Sequence, residues 1–207
     1  MIGDLSLFNL AVVFFSLVIA ITIHEAMHAY TSHWLGDDTA HQEGRISLNP
    51  FRHVDLFGTI ILPLITLIVF KVPLLAAKPV PFNPNRLKYE EFGVALVGLA
   101  GPLTNGVLAL LAGLIVKGVG GSLGVDMLAV LIIFIQINIG LMIFNLIPIP
   151  PLDGSRVLYA FAPEPLQRFM EQLESIGIFI VFALVLMVPA FTDMLINLNN
   201  TVFRLLI

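Results

Sequence analysis

An apolar run, Phe8-Asn9-Leu10-Ala11-Val12-Val13-Phe14-Phe15-Ser16-Leu17-Val18-Ile19-Ala20-Ile21, leads directly into Thr22-Ile23-His24-Glu25-Ala26-Met27-His28. Counted from Leu5 to Ile23 the apolar run has 19 residues, close to the roughly 20 that a helix needs to cross hydrocarbon. In a bilayer the backbone must satisfy its own polar groups, so the segment has to be a helix. His24 and His28 then lie four residues apart on one face. Two imidazoles so placed can hold one Zn²⁺, at about 2.0–2.1 Å each. Glu25 sits one step round the helix, close enough to handle a proton without being a ligand. A bland polar cluster is the alternative. It is costly here, because two histidines and a glutamate in hydrocarbon need partners.

The run is not read as a cleaved signal peptide. Only Asp4 precedes it, it carries no basic n-region, and it ends in His24, Glu25 and His28 instead of a small-residue cleavage site. The whole chain argues for the same medium. Of its 207 residues 58% are hydrophobic and only 12% charged, against about 25% charged in soluble domains. A net charge of −4, spread over loops, excludes nucleic acid as a partner. The absence of cysteine removes disulfides, thiolate zinc sites and cysteine nucleophiles.

Taken in order, the first helix is expected from Ser6 to Trp34, closed by Gly36-Asp37-Asp38. Gln42 to Pro50 alternates and ends in Asn-Pro, which predicts a short interfacial strand. Residues 54–77 are apolar but hold Pro63, Lys71 and Pro73, a poor composition for a span. Lys78-Pro79-Val80-Pro81-Phe82-Asn83-Pro84-Asn85 reads as a proline-stiffened extended loop. Its readings are a plain surface loop or an edge that receives an extended peptide. A second long helix runs from Tyr89 to Val116, with Gly93, Gly98, Gly101 and Gly106 allowing close approach, and an interruption at Gly101-Pro102. A third is expected from Met127 to Ile147. A weaker amphipathic stretch over 155–173 is broken by Pro163 and Pro165. A last span is expected over Ser175 to Phe191, with an interfacial tail from Thr192 to Ile207.

A third metal ligand is needed, and Asp153 is the candidate; Leu-Asp-Gly after prolines also reads as a turn. If Asp153 meets His24 and His28, the first and third long helices run parallel. Residues 54–77 then add no net crossing and are re-entrant, with their broken backbone lining a cavity. Under this topology one side receives Arg45, Arg52, Lys78, Arg86, Lys88, Arg156 and Arg168, and the other Lys117 and Arg204. The positive-inside rule puts the metal side in the cytoplasm. Two neutral imidazoles and one carboxylate leave zinc a fourth position.

Asn105, Asn138 and Asn145 lie at membrane depth. They read either as interhelical hydrogen-bonding glue or as substrate or oxyanion contacts, with Asn145 and then Asn105 the better placed for the second role. His33, His41 and His53 read as interfacial or loop histidines. Tyr30 and Trp34 suit an aromatic belt.

Three segments together closely resemble the site-2 protease family of intramembrane zinc metalloproteases. They are His24-Glu25-Ala26-Met27-His28, Gly101-Pro102-Leu103-Thr104-Asn105 and Phe144 to Gly154, with Asn145-Leu146-Ile147-Pro148 and Pro151-Leu152-Asp153-Gly154 at the ends of the last. Gly44 to Pro50 and Ala77 to Pro84 resemble the short bacterial and archaeal members, without PDZ or CBS modules. The resemblance covers about residues 10–160. It implies that His24, His28 and Asp153 bind one zinc per chain, that Glu25 is the general base, and that the amides at Asn145 and Asn105 lie near substrate. It also implies a small membrane-associated β element after the first core helix.

The resulting expectation is an all-α polytopic membrane protein with about four transmembrane helices, a re-entrant segment and that β element. It forms one domain, residues 1–207, with a core over 6–160 and a C-terminal helix and tail over 161–207. It is an integral protein of a prokaryotic cell membrane that hydrolyses peptide bonds in or near the transmembrane segments of other membrane proteins. The rival readings are a membrane metal transporter and a non-catalytic relative that binds transmembrane helices. Polar residues clustered at one depth count against the first, and Glu25 against the second.

Overall fold

A computed structural model describes residues 6–53 and 80–207 of the chain. The first helix, α1, spans Leu7–Trp34, and its N-terminus is capped by Ser6, whose hydroxyl accepts from Asn9 N–H at 3.2 Å. A tight corner leads to the single turn α2, Thr39–Gln42. The second long helix, α3, spans Glu90–Val119, and the third, α4, spans Val125–Asn145. Four shorter helices follow: α5 (Asp153–Phe161), α6 (Glu164–Glu174), α7 (Gly177–Met187) and α8 (Pro189–Leu206).

Among the described residues, α1, α3 with its 3₁₀ extension to Ser122, and α4 are long and apolar enough to cross a membrane. A fourth crossing arises only if α6 and α7, bent by 78° at their junction, count as one span. The outward faces carry exposed Phe14, Phe15, Leu103, Leu110, Leu114 and Phe179. Such faces suit lipid, and the chain is an integral membrane protein.

Helix α3 is the spine. Its small residues Gly93, Gly98, Gly101, Ala109, Ala112 and Gly113 are buried on one face, and α1, α4, α5 and α8 pack against it. A Cβ on Gly98 would meet Asp153 O at 2.9 Å, and one on Gly113 would meet Leu206 O at 3.0 Å. Contrary to expectation, Pro102 does not interrupt this helix. It removes one donor, but in hydrocarbon no water competes for the remaining backbone bonds, and the turn is clasped by neighbours.

The far half of the fold is an apolar knot. Ala109, Ala112, Ile135 and Ile139 form its centre, and Val202, Phe203 and Leu206 of α8 close it. The stretch expected as an interfacial tail lies within helix α8, and Asn199 donates from Nδ2 to Gln136 O at 3.1 Å. The expected single span over Ser175 to Phe191 is instead α7 and α8, parted at Val188. Pro189 cannot continue the hydrogen-bond ladder of α7, and it serves as a first-turn residue of α8.

No strand occurs among the described residues, so the interfacial strand over Gln42 to Pro50 is not found. Local hydrogen bonds take its backbone instead. Ser47 N–H donates to Arg45 O at 2.9 Å, and Asn49 Oδ1 caps Phe51 N–H at 3.1 Å. Gly44 adopts φ +68°, a conformation open to glycine but foreign to a strand. The re-entrant reading of 54–77 falls outside the described residues. Its flanks do not: Asn83 N–H donates to Asp37 Oδ2 at 2.7 Å, and Lys88 N–H to Leu35 O at 2.8 Å. The chain thus returns to the end of α1 from which it left.

Candidate metal centre

His24 and His28 stack their rings edge to face, centroids 4.6 Å apart, as their four-residue spacing on α1 requires. Their Nε2 atoms are 3.0 Å apart. Asp153 Oδ2 lies 3.1 Å from His24 Nε2 and 3.2 Å from His28 Nε2. All three side chains are buried. Asp153 is not at the end of α4. The chain turns through Ile147-Pro148-Ile149-Pro150-Pro151, with Leu152 N–H donating to Ile149 O at 2.9 Å, and Asp153 opens α5. Glycine at 154 is required there, because a Cβ would lie 2.2 Å from Leu146 O.

The outer nitrogen of each imidazole faces an acceptor. His28 Nδ1 donates to Val97 O at 2.6 Å, and a backbone carbonyl can only accept. His24 Nδ1 donates to Asn105 Oδ1 at 2.6 Å. The amide orientation of Asn105 follows from its other side, where Nδ2 donates to Asn138 Oδ1 at 2.9 Å. Asn138 Nδ2 in turn donates to Phe134 O at 2.9 Å. With both Nδ1–H groups committed outward, both Nε2 lone pairs point inward at the carboxylate. The carboxyl of Asp153 is ionised at neutral pH, so the group is an anionic donor.

Two nitrogen lone pairs and a carboxylate oxygen at such separations repel one another unless a cation lies among them. Tetrahedral zinc with bonds of about 2.0–2.1 Å sets its ligands roughly 3.3 Å apart, close to the spacing found. The space beside the donors depends on Gly101, whose Cβ would fall 2.4 Å from His28 Nε2 and 2.6 Å from His24 Nε2. The donor set and its surroundings fit a small divalent cation.

Glu25 is half-buried and makes no hydrogen bond among the described residues. Asn145, half-buried at the end of α4, donates from Nδ2 to Leu141 O at 3.0 Å and is not joined to the cluster. Asn105 and Asn138 are fully buried and bonded to His24 and to each other. Sequence reading did not single out Val97, which presents only its carbonyl and has no side-chain signature. Nor did it assign Gly101 a place beside the donors, although the small-residue spacing marked that face. A cleft of about 790 Å³ opens beside the start of α5, lined among others by Phe82, Glu90, Glu91, Ser155, Arg156 and Tyr159. The Arg156 guanidinium lies 4.5 Å over the Phe82 ring.

The model of peptidase family M50 matches residues 115–188, a stretch that includes Asn138, Asn145 and Asp153. The chain is also 37% identical over 182 residues to the Bacillus subtilis (strain 168) protein named "Putative zinc metalloprotease YwhC", covering 84% of this chain and 79% of that protein. The chain belongs to peptidase family M50. The resemblance to site-2 proteases seen in the sequence is thereby borne out, and the M50 assignment sets aside the transporter reading. No solved structure matches the chain.

Proposed function

We propose that the chain is an intramembrane zinc metalloprotease in which His24, His28 and Asp153 hold one Zn²⁺ and Glu25 is the general base. The observation that carries this reading is the convergence of three lone-pair donors within 3.2 Å, each imidazole having its other nitrogen fixed by an acceptor. When bound, zinc lowers the pKa of a water it holds from 15.7 toward about 7 and polarises a carbonyl.

The chain's own residues supply the rest. Glu25 accepts a proton as water attacks the scissile carbonyl, and returns it to the leaving amine. Asn105 and Val97 O hold the two imidazoles in the tautomer that donates inward. Asn145 keeps one amide hydrogen beyond its bond to Leu141 O, and that hydrogen is the candidate donor to an oxyanion. Asn105 and Asn138 are spent on positioning and do not contact substrate. The substrate is a membrane protein, cut in or near a transmembrane segment. Its unwound stretch enters by the cleft beside α5, which Val80, Pro81 and Phe82 help to line, and pairs there as an added strand. The single protease domain runs over 1–207, and the site faces the cytoplasm. Arg45, Arg52, Arg86, Lys88, Arg156 and Arg168 lie at its end of the helices, with Lys117 and Arg204 at the other.

The test is Glu25→Gln in reconstituted protein offered a transmembrane substrate. Bound zinc should stay at one equivalent while cleavage falls roughly 10²- to 10⁴-fold, the usual worth of a general base. Normal cleavage by that variant removes Glu25 from its role. Retention of stoichiometric zinc by His24→Ala or Asp153→Ala removes the ligand set.

A further inference from the structure

A second group of metal-capable side chains stands at the other end of the α1–α2 corner. His33 in the last turn of α1, Asp38 in the connecting turn and His41 in α2 each bring one ligand atom within 4.8 Å of the other two. His33 Nδ1 donates to Asp38 Oδ1 at 2.6 Å, and the His33 and His41 rings lie with centroids 4.8 Å apart, tilted by 35°. All three are exposed. None of them belongs to the buried centre or to the cleft.

We propose that His33, Asp38 and His41 form a second, surface site for a divalent first-row transition cation, zinc among them. The donor set is two imidazoles and one carboxylate, the mixture that such ions favour over calcium or magnesium. Three protein donors leave the remaining positions to water. A cation held by His33 Nδ1 takes the place of the proton shared with Asp38, and the neutral ring carries its single proton on Nε2 instead.

The backbone beneath the site is fixed before any ion arrives. The residues that alternate with the ligands are buried: Ser32 at 0%, Leu35 at 2%, Asp37 at 0% and Ala40 at 0% exposure. Asp37 Oδ1 accepts from Thr39 N–H at 3.1 Å and from Thr39 Oγ1 at 2.6 Å. An exposed His–Asp pair on a mobile loop gains little by meeting. Here the corner is built from inside, so a cation loses little freedom of the chain when it binds. The site also has reach. The same corner holds the rim of the cleft, through Asp37 to Asn83 and Leu35 to Lys88. An ion that ties α1 to α2 therefore stiffens the support of that rim.

The experiment is a zinc titration of the whole, untagged chain in lipid nanodiscs, with free zinc buffered from nanomolar to micromolar and bound metal counted by mass spectrometry. The wild type should hold one equivalent at the low end and two at the high end. His33→Gln/His41→Gln should stay at one equivalent throughout and keep its cleavage activity at nanomolar zinc. His24→Gln/His28→Gln should lose the tight equivalent and keep the weaker one. A wild type that saturates at one equivalent overturns the site, and so does a His33→Gln/His41→Gln variant that still takes up two. If His24→Gln/His28→Gln keeps the tight ion, the buried ligand set fails instead, and the two failures are told apart.

Discussion

Helix α3 runs through two unlike environments, and α4 meets both within about one turn, Asn138 lying between Ile135 and Ile139. Near the metal centre they present Gly98, Gly101, Asn105 and Asn138 to His24, His28 and Asp153. About two turns further along α3, they present Ala109, Ala112, Ile135 and Ile139 to the apolar residues of α8. The first environment is polar and rich in directional bonds. The second is apolar and non-directional. Polar groups at membrane depth are expensive, so the apolar knot carries the fold and the polar half spends stability on geometry. The two halves should therefore fail in different ways when damaged.

The largest effect is expected where the polar half is tightest. Gly101→Ala places a methyl group 2.4 Å from His28 Nε2, and both imidazoles are already fixed at their far nitrogens. They cannot yield without breaking those bonds. Cleavage should drop by roughly 100-fold or more, since displacements of about 1 Å at a reacting centre cost that much. Gly106→Ala is the control on the same helix, because its Cβ would meet only the thioether of Met142 at 2.8 Å. That side chain is flexible enough to move. If both variants cleave alike, the donors are not held as described.

Asn105→Ala should come next. It removes the acceptor that fixes the His24 tautomer and strands Asn138 Oδ1 without its donor. Zinc affinity should fall roughly 10- to 100-fold, read in a competition titration against a chromogenic chelator. A wild-type affinity would reduce Asn105 to helix glue. The mirror experiment in the apolar half is Ile139→Ala. Its side chain is fully buried, and the cavity should cost about 2 kcal/mol. That is the low end for such truncations, because lipid already supplies an apolar solvent for the unpacked helix. Unfolding in mixed micelles should show the loss while zinc affinity stays unchanged. A loss of zinc here would mean that the two halves are coupled.

The same contrast explains what could be read from the sequence. His24, His28 and Asp153 were legible as a cluster because ionisable groups in apolar runs must find partners, and few candidates existed. The long helices were legible because hydrocarbon leaves the backbone no alternative. Roles that depend on side-chain direction were not. Asn105 was visible as an amide at depth, yet nothing in its spacing said that its oxygen meets His24 instead of substrate. Proline was ambiguous for a similar reason. Pro102 sits mid-helix against buried neighbours and the helix continues, whereas Pro189 follows the end of α7 and opens a new helix. The alternation over Gln42 to Pro50 misled because Ser47, Asn49 and Gly44 offered the backbone local bonds before any partner strand could.

The smallest effect is expected at the junction between the membrane and the cleft, where Asp37 joins the end of α1 to Asn83. Burial acts to raise its carboxyl. Hydrogen bonds from Thr39 and Asn83, with the charge of Arg86, outweigh that and hold it below its ordinary value. A group whose folded pKa lies below its unfolded one stabilises the fold above the unfolded value, near pH 3.8. That contribution is lost as pH falls through the folded value. Wild type should therefore lose stability on acidification below about pH 4 by more than Asp37→Asn does, by about 1 kcal/mol or less at a single buried carboxylate. Melting curves of the two proteins between pH 3 and 6 give the comparison, and the difference cancels the metal-site titration that both share. At neutral pH the variant should melt lower, because the amide accepts more weakly from Thr39 and Asn83. Parallel acid limbs for the two proteins would show that Asp37 is held by packing alone. The cleft rim would then rest on the apolar contacts of Leu35, Leu87 and Val97.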